Sequence, residues 1–252
     1  MIRLLISGVT GQMGQAILRA AQNEGSGFTV VCGVDPTGGD YPFPVYPCAA
    51  EVGTDFDIAI DFSVAAAVRP ILDFCVAQGK PLVIGTTGIS EADKAAAVLA
   101  AEHIPVFLSG NMSLGVNLQL ALCRLAAQTL GLDADVEIVE THHNKKLDAP
   151  SGTAYMLANA VAESYPAPTQ VVTDNRHSVR QRRGAGEIGI HAVRGGSVVG
   201  EHEVMFFCEE EAITIKHQAF TKRVFAVGAL RAAKYLVGQA PGYYTMRELV
   251  GN

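Results

Sequence analysis

Residues 2–14 read IRLLISGVTGQMG, and this stretch decides the fold of the amino-terminal half. The run from Ile2 to Ser7 is apolar and predicts a strand, and apolar residues recur at helical spacing over 16–21. The three glycines between them form a G-x-x-G-x-x-G loop. Glycines at this spacing allow a tight turn, close approach of a pyrophosphate, and close packing of helix on strand. The loop could be a structural turn, but its place between a strand and a helix favours nucleotide binding.

An acidic residue follows the second predicted strand, which runs from Phe28 to Val34. Asp35 lies 21 residues beyond Gly14, where an acid binds the ribose hydroxyls of an adenosine. Pro36 comes next, so no adjacent arginine offers a bidentate partner for a 2′-phosphate. We therefore expect NADH to be preferred over NADPH.

Strands and helices continue to alternate through the first half of the chain. Strands are predicted at 58–62, 82–84 and 105–108, and helices at 64–76 and 90–102. This alternation predicts an α/β fold with a Rossmann-like, doubly wound parallel sheet, whose ligand lies beyond the carboxyl ends of the strands. Small or polar residues stand at those ends, as a bound ligand requires. The residues at 85–88, GTTG, would also be explained by a tight turn.

The second half has a different pattern and predicts an α+β domain with an open mixed, mainly antiparallel sheet. A helix over 114–130 precedes several strands, and Gly195-Gly196 is a hairpin signal. Only one helix interrupts these strands, so an uncovered sheet face and self-association are expected. The predicted strands lie at 136–139, 171–173, 188–193, 198–207 and 212–215.

A last helix over 225–237 is expected to pack back on the first domain. We therefore expect a dinucleotide-binding domain of residues 1–112, completed by 223–252. Residues 113–222 are expected to form a substrate-binding and oligomerisation domain.

The composition limits the class of partner. A net charge of −6 argues against nucleic acid, and 49% hydrophobic content is ample for buried cores. The five cysteines are scattered without a C-x-x-C pair, which favours a reducing compartment. The chain opens on a strand that leaves no room for a signal peptide, and no apolar run has the length of a membrane span. A cytoplasmic protein without a membrane partner is expected.

Positive charge is concentrated between residues 145 and 183, where Arg176, Arg180, Arg182 and Arg183 join two lysines. A cleft lined by one sign of charge concentrates the opposite ion. This zone in an acidic protein indicates a small anionic ligand.

Residues 142–154 read HHNKKLDAPSGTA and lead into a helix predicted over 151–164. Pro150 suits the first helical turn, and Asp148 or Ser151 can cap it.

The start of this helix predicts an anion site. The amides of Ser151, Gly152 and Thr153 and the helix dipole favour an anion, with Lys146 and a histidine nearby. A carboxylate is the simplest ligand. The alternative is a solvated basic turn, because charge runs are usually exposed faces.

Together these patterns resemble the 4-hydroxy-tetrahydrodipicolinate reductase (dihydrodipicolinate reductase) family, a nicotinamide-dependent oxidoreductase of the diaminopimelate route to lysine. The resemblance covers nearly the whole chain. It rests on the glycine loop and on GTTG at 85–88, NMSLGVN at 111–117 and HHNKKLDAPSGTA at 142–154.

The resemblance implies a homotetramer that reduces a small dicarboxylate substrate with NADH or NADPH. His142 would be the acid/base group and Lys146 the proton donor, while His143, Gly152 and Thr153 would bind the substrate's carboxylates. It places the cofactor contacts at Gly8, Val9, Thr10, Gly11, Gln12, Met13, Asp35, Gly85, Thr86, Thr87, Ser109, Gly110, Asn111 and Met112.

Two positions depart from the pattern of the family. Many members have arginine where this chain has Pro36, and Lys222 stands where arginine is expected. Both departures concern the choice of cofactor rather than the reaction.

The residue types fit this chemistry. Reduction needs a hydride at one atom and a proton at its neighbour, and a nearby histidine or lysine can supply the proton. His142 and His143 are adjacent, so on an extended segment their side chains face opposite ways. Reasoning from the residues leaves open which of them reaches the reacting atoms.

Three alternatives fit the sequence less well. A short-chain dehydrogenase needs Tyr-x-x-x-Lys, which none of the seven tyrosines provides. A silent NAD(H) sensor would keep the glycines and Asp35 but would not need the histidines and Lys146. A metal site at His142 and His143 lacks a nearby cysteine, a third histidine or an H-x-x-x-H spacing, so no metal is expected.

Overall fold

The computed structural model describes residues 1–166, 168–173, 177 and 180–251. The chain divides into two compact units, Met1–Leu114 with Lys222–Asn252, and Gly115–Thr221. Among the helices of the described residues, none combines the length and apolar character needed to cross a bilayer.

In chain order, the strands of the described residues are β1 (Ile2–Ser7), β2 (Phe28–Val34), β3 (Val45–Tyr46), β4 (Ile58–Asp61), β5 (Leu82–Ile84), β6 (Pro105–Leu108), β7 (Asp135–His142), β8 (Gln170–Val172), β9 (Glu187–Arg194), β10 (Gly200–Phe207), β11 (Ala212–Ala219) and β12 (Gly242–Tyr244). The helices are α1 (Gln12–Ala21), α2 (Ala65–Gln78), α3 (Glu91–Ala100), α4 (Leu114–Leu130), α5 (Gly152–Ala162), α6 (Arg223–Leu236) and α7 (Met246–Val250).

The first unit is built on a seven-stranded sheet of order β12-β6-β5-β4-β1-β2-β3. Every strand pair in it is parallel over the described residues. The predicted Rossmann-like, doubly wound sheet is confirmed. Because parallel strands end at one edge, the residues that follow β1, β2, β4, β5 and β6 share that edge.

Both faces of this sheet are buried, which explains the nearly continuous apolar strands. Leu4 and Ile6 of β1 pack with residues of α1 and α6, whereas Leu5 packs with residues of α2 and α3. Helix α6 therefore belongs to the core of the first unit, although it follows the second unit in sequence.

The second unit holds a five-stranded mixed sheet of order β11-β10-β7-β9-β8. Over the described residues, β10 is antiparallel to both β7 and β11, and β9 is parallel to both β7 and β8. The sheet is mixed, as predicted, with two antiparallel and two parallel strand pairs over the described residues. Helix α5 lies between β7 and β9 in the chain, and a crossover of this kind produces parallel pairing.

The hairpin predicted at Gly195-Gly196 is wrong. Strand β7 lies between β9 and β10, so the glycines connect two strands that do not pair with each other. This connection passes the end of β7, where the Gly195 amide donates to the His142 carbonyl at 2.9 Å. The two glycines correctly indicate that the chain turns back here. They could not indicate that β7 lies between the two strands they connect.

Helices α4 and α5 cover one face of this sheet. Val136 and Ile138 of β7 pack there with Leu157 of α5 and Val116 of α4. The alternate residues of β7 point to the other face and are only partly buried or exposed.

Candidate active site

The glycine loop, residues 8–14, holds its backbone tightly against its neighbours. Gly8 has a φ of +77°, and a β-carbon there would lie 2.4 Å from the carbonyl oxygen of Phe62. A β-carbon on Gly14 would lie 2.1 Å from the Gly8 carbonyl oxygen, so α1 packs directly on the loop. Helix α1 follows Gly11 and has no acidic residue in its first turn. The free amides at its start therefore favour an anion, and the loop fits a dinucleotide.

Asp35 is a preformed acceptor at the end of β2. The Thr10 amide and hydroxyl donate to its Oδ2 at 3.2 and 2.7 Å, and the Thr37 amide donates to its Oδ1 at 3.0 Å. Burial raises the pKa of Asp35, but these hydrogen bonds outweigh it and the net pKa is lowered. The carboxylate is therefore charged and fixed beside the glycine loop.

Thr86 and Gly85 follow β5 and are tied to the end of β4. The Thr86 hydroxyl donates to Asp61 Oδ2 at 2.5 Å and accepts from the Ser63 amide at 2.8 Å. A β-carbon on Gly85 would lie 2.2 Å from the Phe62 ring. The Thr86 side chain thus fixes the strand ends, although it was predicted as a cofactor contact.

Asp61 is a buried acid that the sequence interpretation missed. Its side chain is fully buried, and burial raises its pKa, against hydrogen bonds from Ser63, Ser7 and Thr86. The sequence could have indicated this residue, because an acid directly follows an apolar run that predicts a buried strand.

The segment after β6 also has internal partners. The Ser109 hydroxyl donates to the Asn111 carbonyl at 2.9 Å, and Asn111 Oδ1 accepts from the Ser113 amide at 2.9 Å. Met112 is buried, and a β-carbon on Gly228 of α6 would lie 1.7 Å from its carbonyl oxygen. Met112 was predicted as a cofactor contact, but its side chain belongs to the core of the first unit.

A cavity of about 730 Å³ opens beside the glycine loop, and three cationic side chains are among the residues that line it. Lys222 donates to Gln12 Oε1 at 3.0 Å, which brings the start of α6 to the start of α1. The lining residues are Thr10, Gln12, Gln15, Ala16, Arg19, Ala20, Asn23, Lys222 and Arg223. The sequence interpretation noted Lys222 but did not place it beside this loop.

In the second unit, β7 directs its even-numbered residues toward α5. Glu140 and His142 are buried on this face, while His143 follows the strand and is half-buried. The opposite orientation of the two histidines stays a prediction, because His143 lies beyond the end of β7. Within the described residues, the buried His143 Nδ1 has no hydrogen-bond partner.

Glu140 connects His142, Arg194 and the start of α5. Its Oε2 lies 2.5 Å from His142 Nδ1 and accepts from Arg194 at 2.9 Å. Its Oε1 accepts from the Ser151 amide at 3.0 Å and from Arg194 at 2.7 Å. Burial raises the pKa of Glu140, but the bonds from Arg194 and His142 outweigh it and the net pKa is lowered. Glu140 is therefore a buried, charged acceptor.

His142 lies within a field of opposing charges. Burial lowers its pKa, Glu140 raises it, and the charges of Lys146 and Arg194 lower it further, with a net lowering. The imidazole is therefore neutral near neutral pH.

His202 of β10 packs edge-on against His142, with ring centroids 5.1 Å apart. Its Nε2 lies 3.1 Å from the Ser151 hydroxyl. Burial lowers the pKa of His202 to about 4. His202 thus remains neutral and helps hold the cap of α5.

Helix α5 begins at Gly152, with Ser151 as its N-cap. The Ser151 hydroxyl accepts from the Ala154 amide at 3.2 Å. Pro150 precedes the cap, so its predicted place in the first helical turn is wrong, and the helix ends at Ala162 rather than at 164. Asp148 does not cap the helix; it pairs with Lys146 at 2.8 Å instead.

The start of α5 faces open space. Gly152 is exposed, and a β-carbon there would meet no atom of the described residues within 4 Å. The first turn contains no acidic residue. These features suit an anion at the first amides of the helix. The Ser151 amide, which was predicted to face the anion, donates to Glu140 instead.

The basic zone at 145–183 is not one surface. Arg183 donates to the carbonyls of Glu187 and Val136 at 2.7 and 2.6 Å, so it serves the sheet. Arg180 and Arg182 are exposed, and Arg176 lies outside the described residues.

Glu140, His142 and His202 bring three potential metal ligands within 4.8 Å of one another. The second histidine of this group is His202 rather than the His143 that the sequence interpretation considered. A cation at this point would meet the Arg194 guanidinium, which already holds both oxygens of Glu140. The charge arrangement therefore favours proton chemistry over a metal.

Arg194 and His202 could not be assigned from the sequence. Arg194 stands beside the Gly195-Gly196 signal and His202 is an isolated histidine, so neither belongs to a local motif. Only the strand order places both beside His142. Glu140 could have been predicted as a neighbour of His142, because residues two apart on a strand point to the same face.

Two family models match the chain. The model described as dihydrodipicolinate reductase, N-terminus, matches residues 2–112, and the one described as dihydrodipicolinate reductase, C-terminus, matches residues 115–250.

Curated relatives match over the full length. The 4-hydroxy-tetrahydrodipicolinate reductase of Caldanaerobacter subterraneus subsp. tengcongensis is 46% identical over 250 residues, covering 99% of this chain and 98% of the relative. The enzyme of the same name from Clostridium botulinum is 39% identical over 252 residues, covering 100% and 99%.

Solved structures agree in fold. A dihydrodipicolinate reductase from Paenisporosarcina sp. TG-14 with dipicolinate bound has a TM-score of 0.82 at 27% identity, covering 99% of both chains. The WlbA dehydrogenase from Thermus thermophilus, in complex with NAD and UDP-GlcNAcA, has a TM-score of 0.56 at 11% identity over 96% of this chain and 97% of the other. The second likeness concerns the fold alone.

Proposed function

The chain belongs to the dihydrodipicolinate reductase family, and from this premise we propose how its own residues carry out the reaction. The activity is the NAD(P)H-dependent reduction of 4-hydroxy-tetrahydrodipicolinate to tetrahydrodipicolinate, in the diaminopimelate route to lysine. The observation that carries the assignment is the match of the two family models over 2–112 and 115–250.

The proton chemistry belongs to the second unit. A nicotinamide cofactor, when bound, would supply a hydride to one atom of the substrate, whose 4-hydroxyl leaves as water. Lys146, an ammonium on the loop after β7, donates the proton that the neighbouring atom requires, and His142 serves as the acid/base group. A neutral imidazole held by a charged carboxylate suits this role, because it can take up and return a proton near neutral pH.

The substrate's carboxylates bind at the start of α5. Gly152 and Thr153 present their amides at the positive end of the helix dipole, and His143 stands on the adjoining loop. The open space at Gly152 supports this placement. Charge neutralisation at this point holds the acceptor atom for hydride transfer.

The cofactor binds along the carboxyl edge of the parallel sheet. The glycine loop receives the pyrophosphate, Asp35 the ribose hydroxyls, and segments 85–87 and 109–112 the remaining part. NADH is preferred over NADPH, because the Asp35 carboxylate is charged and Pro36 follows it. The ratio of kcat/KM for the two cofactors tests this preference, and a clear advantage for NADPH would contradict it.

The two units take separate roles. Residues 1–112 with 223–252 form the dinucleotide-binding domain, and 113–222 the substrate-binding and oligomerisation domain. The chain forms a homotetramer through the sheet face that α4 and α5 leave uncovered, where Val193 and Phe207 are exposed. It acts in the cytoplasm, in keeping with five free cysteines.

Replacing Lys146 tests the proposed chemistry. Lys146→Ala removes the proton donor, so we expect kcat to fall about 10²–10⁴-fold while NADH still binds. Lys145→Ala is the matched control, because Lys145 is the exposed neighbour on the same loop. NADH oxidation, measured with the product of dihydrodipicolinate synthase, gives the rates. Equal turnover in the two variants would contradict the proposal, and no turnover in the wild type would favour a sensor.

A further inference from the structure

Glu140 is saturated with hydrogen-bond donors. A carboxylate has about four acceptor positions, and Glu140 receives two bonds from Arg194, one from the Ser151 amide and one from His142. The side chain has 0% exposure, so solvent is not a fifth partner.

This saturation sets the tautomer of His142. An ionised carboxylate only accepts, so the atom 2.5 Å from its Oε2 must donate. His142 therefore carries its proton on Nδ1, and its Nε2 is left as the proton acceptor. The same carboxylate holds the Ser151 amide, so one group fixes both the histidine and the start of α5.

Arg194 connects Glu140 to the loop that follows β7. Besides Glu140, it donates to the Asp148 carbonyl at 2.7 Å. It lies beside His142 in the parallel pairing of β7 and β9. Arg194 thus holds Glu140 charged and ties the loop that carries Lys146 to the sheet.

We propose that Glu140 and Arg194 are a positioning pair that holds the His142 imidazole, the Lys146 loop and the first amides of α5 in one geometry. This inference rests on the proposed function, because it assigns a role through His142. Neither residue touches the reacting atoms in this scheme.

The charges around His142 make the two partners distinguishable. The groups that face it are Glu140 on β7, Arg194 on β9, His202 on β10 and Lys146 on the loop. Glu140 raises the pKa of His142, whereas Arg194 lowers it. Loss of each partner should therefore move the ionisation of His142 in opposite directions, which a merely structural role would not do.

The test uses the full-length Glu140→Gln and Arg194→Met variants. We expect kcat to fall about 10²-fold in each, because the acid/base group loses its orientation. In the pH dependence of kcat/KM, the ionisation assigned to His142 should move to lower pH in E140Q and to higher pH in R194M. Shifts in the same direction, or unchanged profiles, would overturn the proposal.

Two further variants keep the test decisive. E140Q leaves the charge of Arg194 buried without its partner, which can impair folding. The E140Q/R194M double variant removes both charges of the pair and is therefore measured alongside it. We expect the double variant to fold and to lose less activity than the product of the single losses. E137Q on the opposite face of β7 is the matched control and should keep the wild-type pH profile, because Glu137 faces away from His142.

Failure of this inference is distinct from failure of the proposed function. If Lys146→Ala is inactive while E140Q and R194M behave as the wild type, the reaction assignment stands and the positioning pair does not. If Lys146→Ala keeps full turnover, the proposed function fails first.

Discussion

A Glu–His–Arg trio lies on each face of the sheet at β7, and only one of the two has the features of an active site. Strand β7 supplies the glutamate of each trio, and β9 supplies Arg194 on one face and His191 on the other. On the inner face, Glu140 contacts His142 at 2.5 Å and Arg194 at 2.7 Å. On the outer face, Glu137 contacts His191 at 2.7 Å and Arg183 at 3.4 Å.

The two trios differ in burial and in the role of the arginine. The side chains of Glu140 and His142 are 0% and 11% exposed, whereas those of Glu137 and His191 are 20% and 35% exposed. Arg194 makes a bidentate pair with its carboxylate, but Arg183 gives its shortest bonds to backbone carbonyls. A Glu–His–Arg combination is therefore not a site by itself. Burial and the neighbouring start of α5 turn one of the two into a candidate for proton transfer.

The largest expected contrast is between the two histidines. His142→Gln should lower kcat about 10²–10⁴-fold, because it removes the acid/base group. His191→Gln should leave kcat within about 2-fold, because His191 lies on the other face of the sheet from His142. Steady-state NADH oxidation and a separate NADH-binding titration measure both. Comparable losses in the two variants would erase the distinction between the faces.

The second contrast is the response of stability to acid. His202, beside the inner trio, has a pKa of about 4 in the folded protein, below the ordinary 6.5. Between these values the unfolded chain binds a proton that the folded chain does not, so stability is lost as the pH falls through this window. The difference corresponds to about 3 kcal/mol.

Unfolding midpoints measured across that window should fall steeply in the wild type. His202→Gln should fall less steeply, and His191→Gln should follow the wild type. An identical slope in His202→Gln would show that this histidine does not carry the acid sensitivity.

The smallest contrast concerns a glycine beside each trio. A β-carbon on Gly200 would lie 3.1 Å from His142 Nε2, and one on Gly189 would lie 1.8 Å from Glu137 Oε2. Gly200→Ala should displace the His142 ring by a few tenths of an ångström and lower kcat/KM about 10-fold.

Gly189→Ala should move only the end of the Glu137 side chain, at a cost of about 1 kcal/mol in stability without loss of activity. Thermal unfolding and steady-state kinetics on the same samples separate the two effects. A loss of activity in Gly189→Ala alone would reverse the assignment of the faces.

The strand–loop–helix path of the chain was predictable, because it depends on local periodicity. The glycine loop, Asp35 and the start of α5 each follow from residues close in sequence. The motif at 142–154 supplied His142, Lys146 and the helix start through its resemblance to a family.

The neighbours of His142 depend on long-range pairing instead. Arg194 reaches Glu140 because β9 is parallel to β7, and His202 arrives from the antiparallel β10 on the other side. The same strand order made the hairpin prediction at Gly195-Gly196 wrong. Periodicity identifies strands, but it does not state which strand lies between two others.

The filled acceptor positions of Glu140 have a consequence for how this site opens. The carboxylate cannot take up a proton until a donor departs, and one of its donors is the amide that anchors α5. Neutralising Glu140 in acid therefore requires the loss of a bond to Arg194, to His142 or to the start of α5. The acid titration of this one side chain would therefore report a rearrangement of its partners together with proton binding.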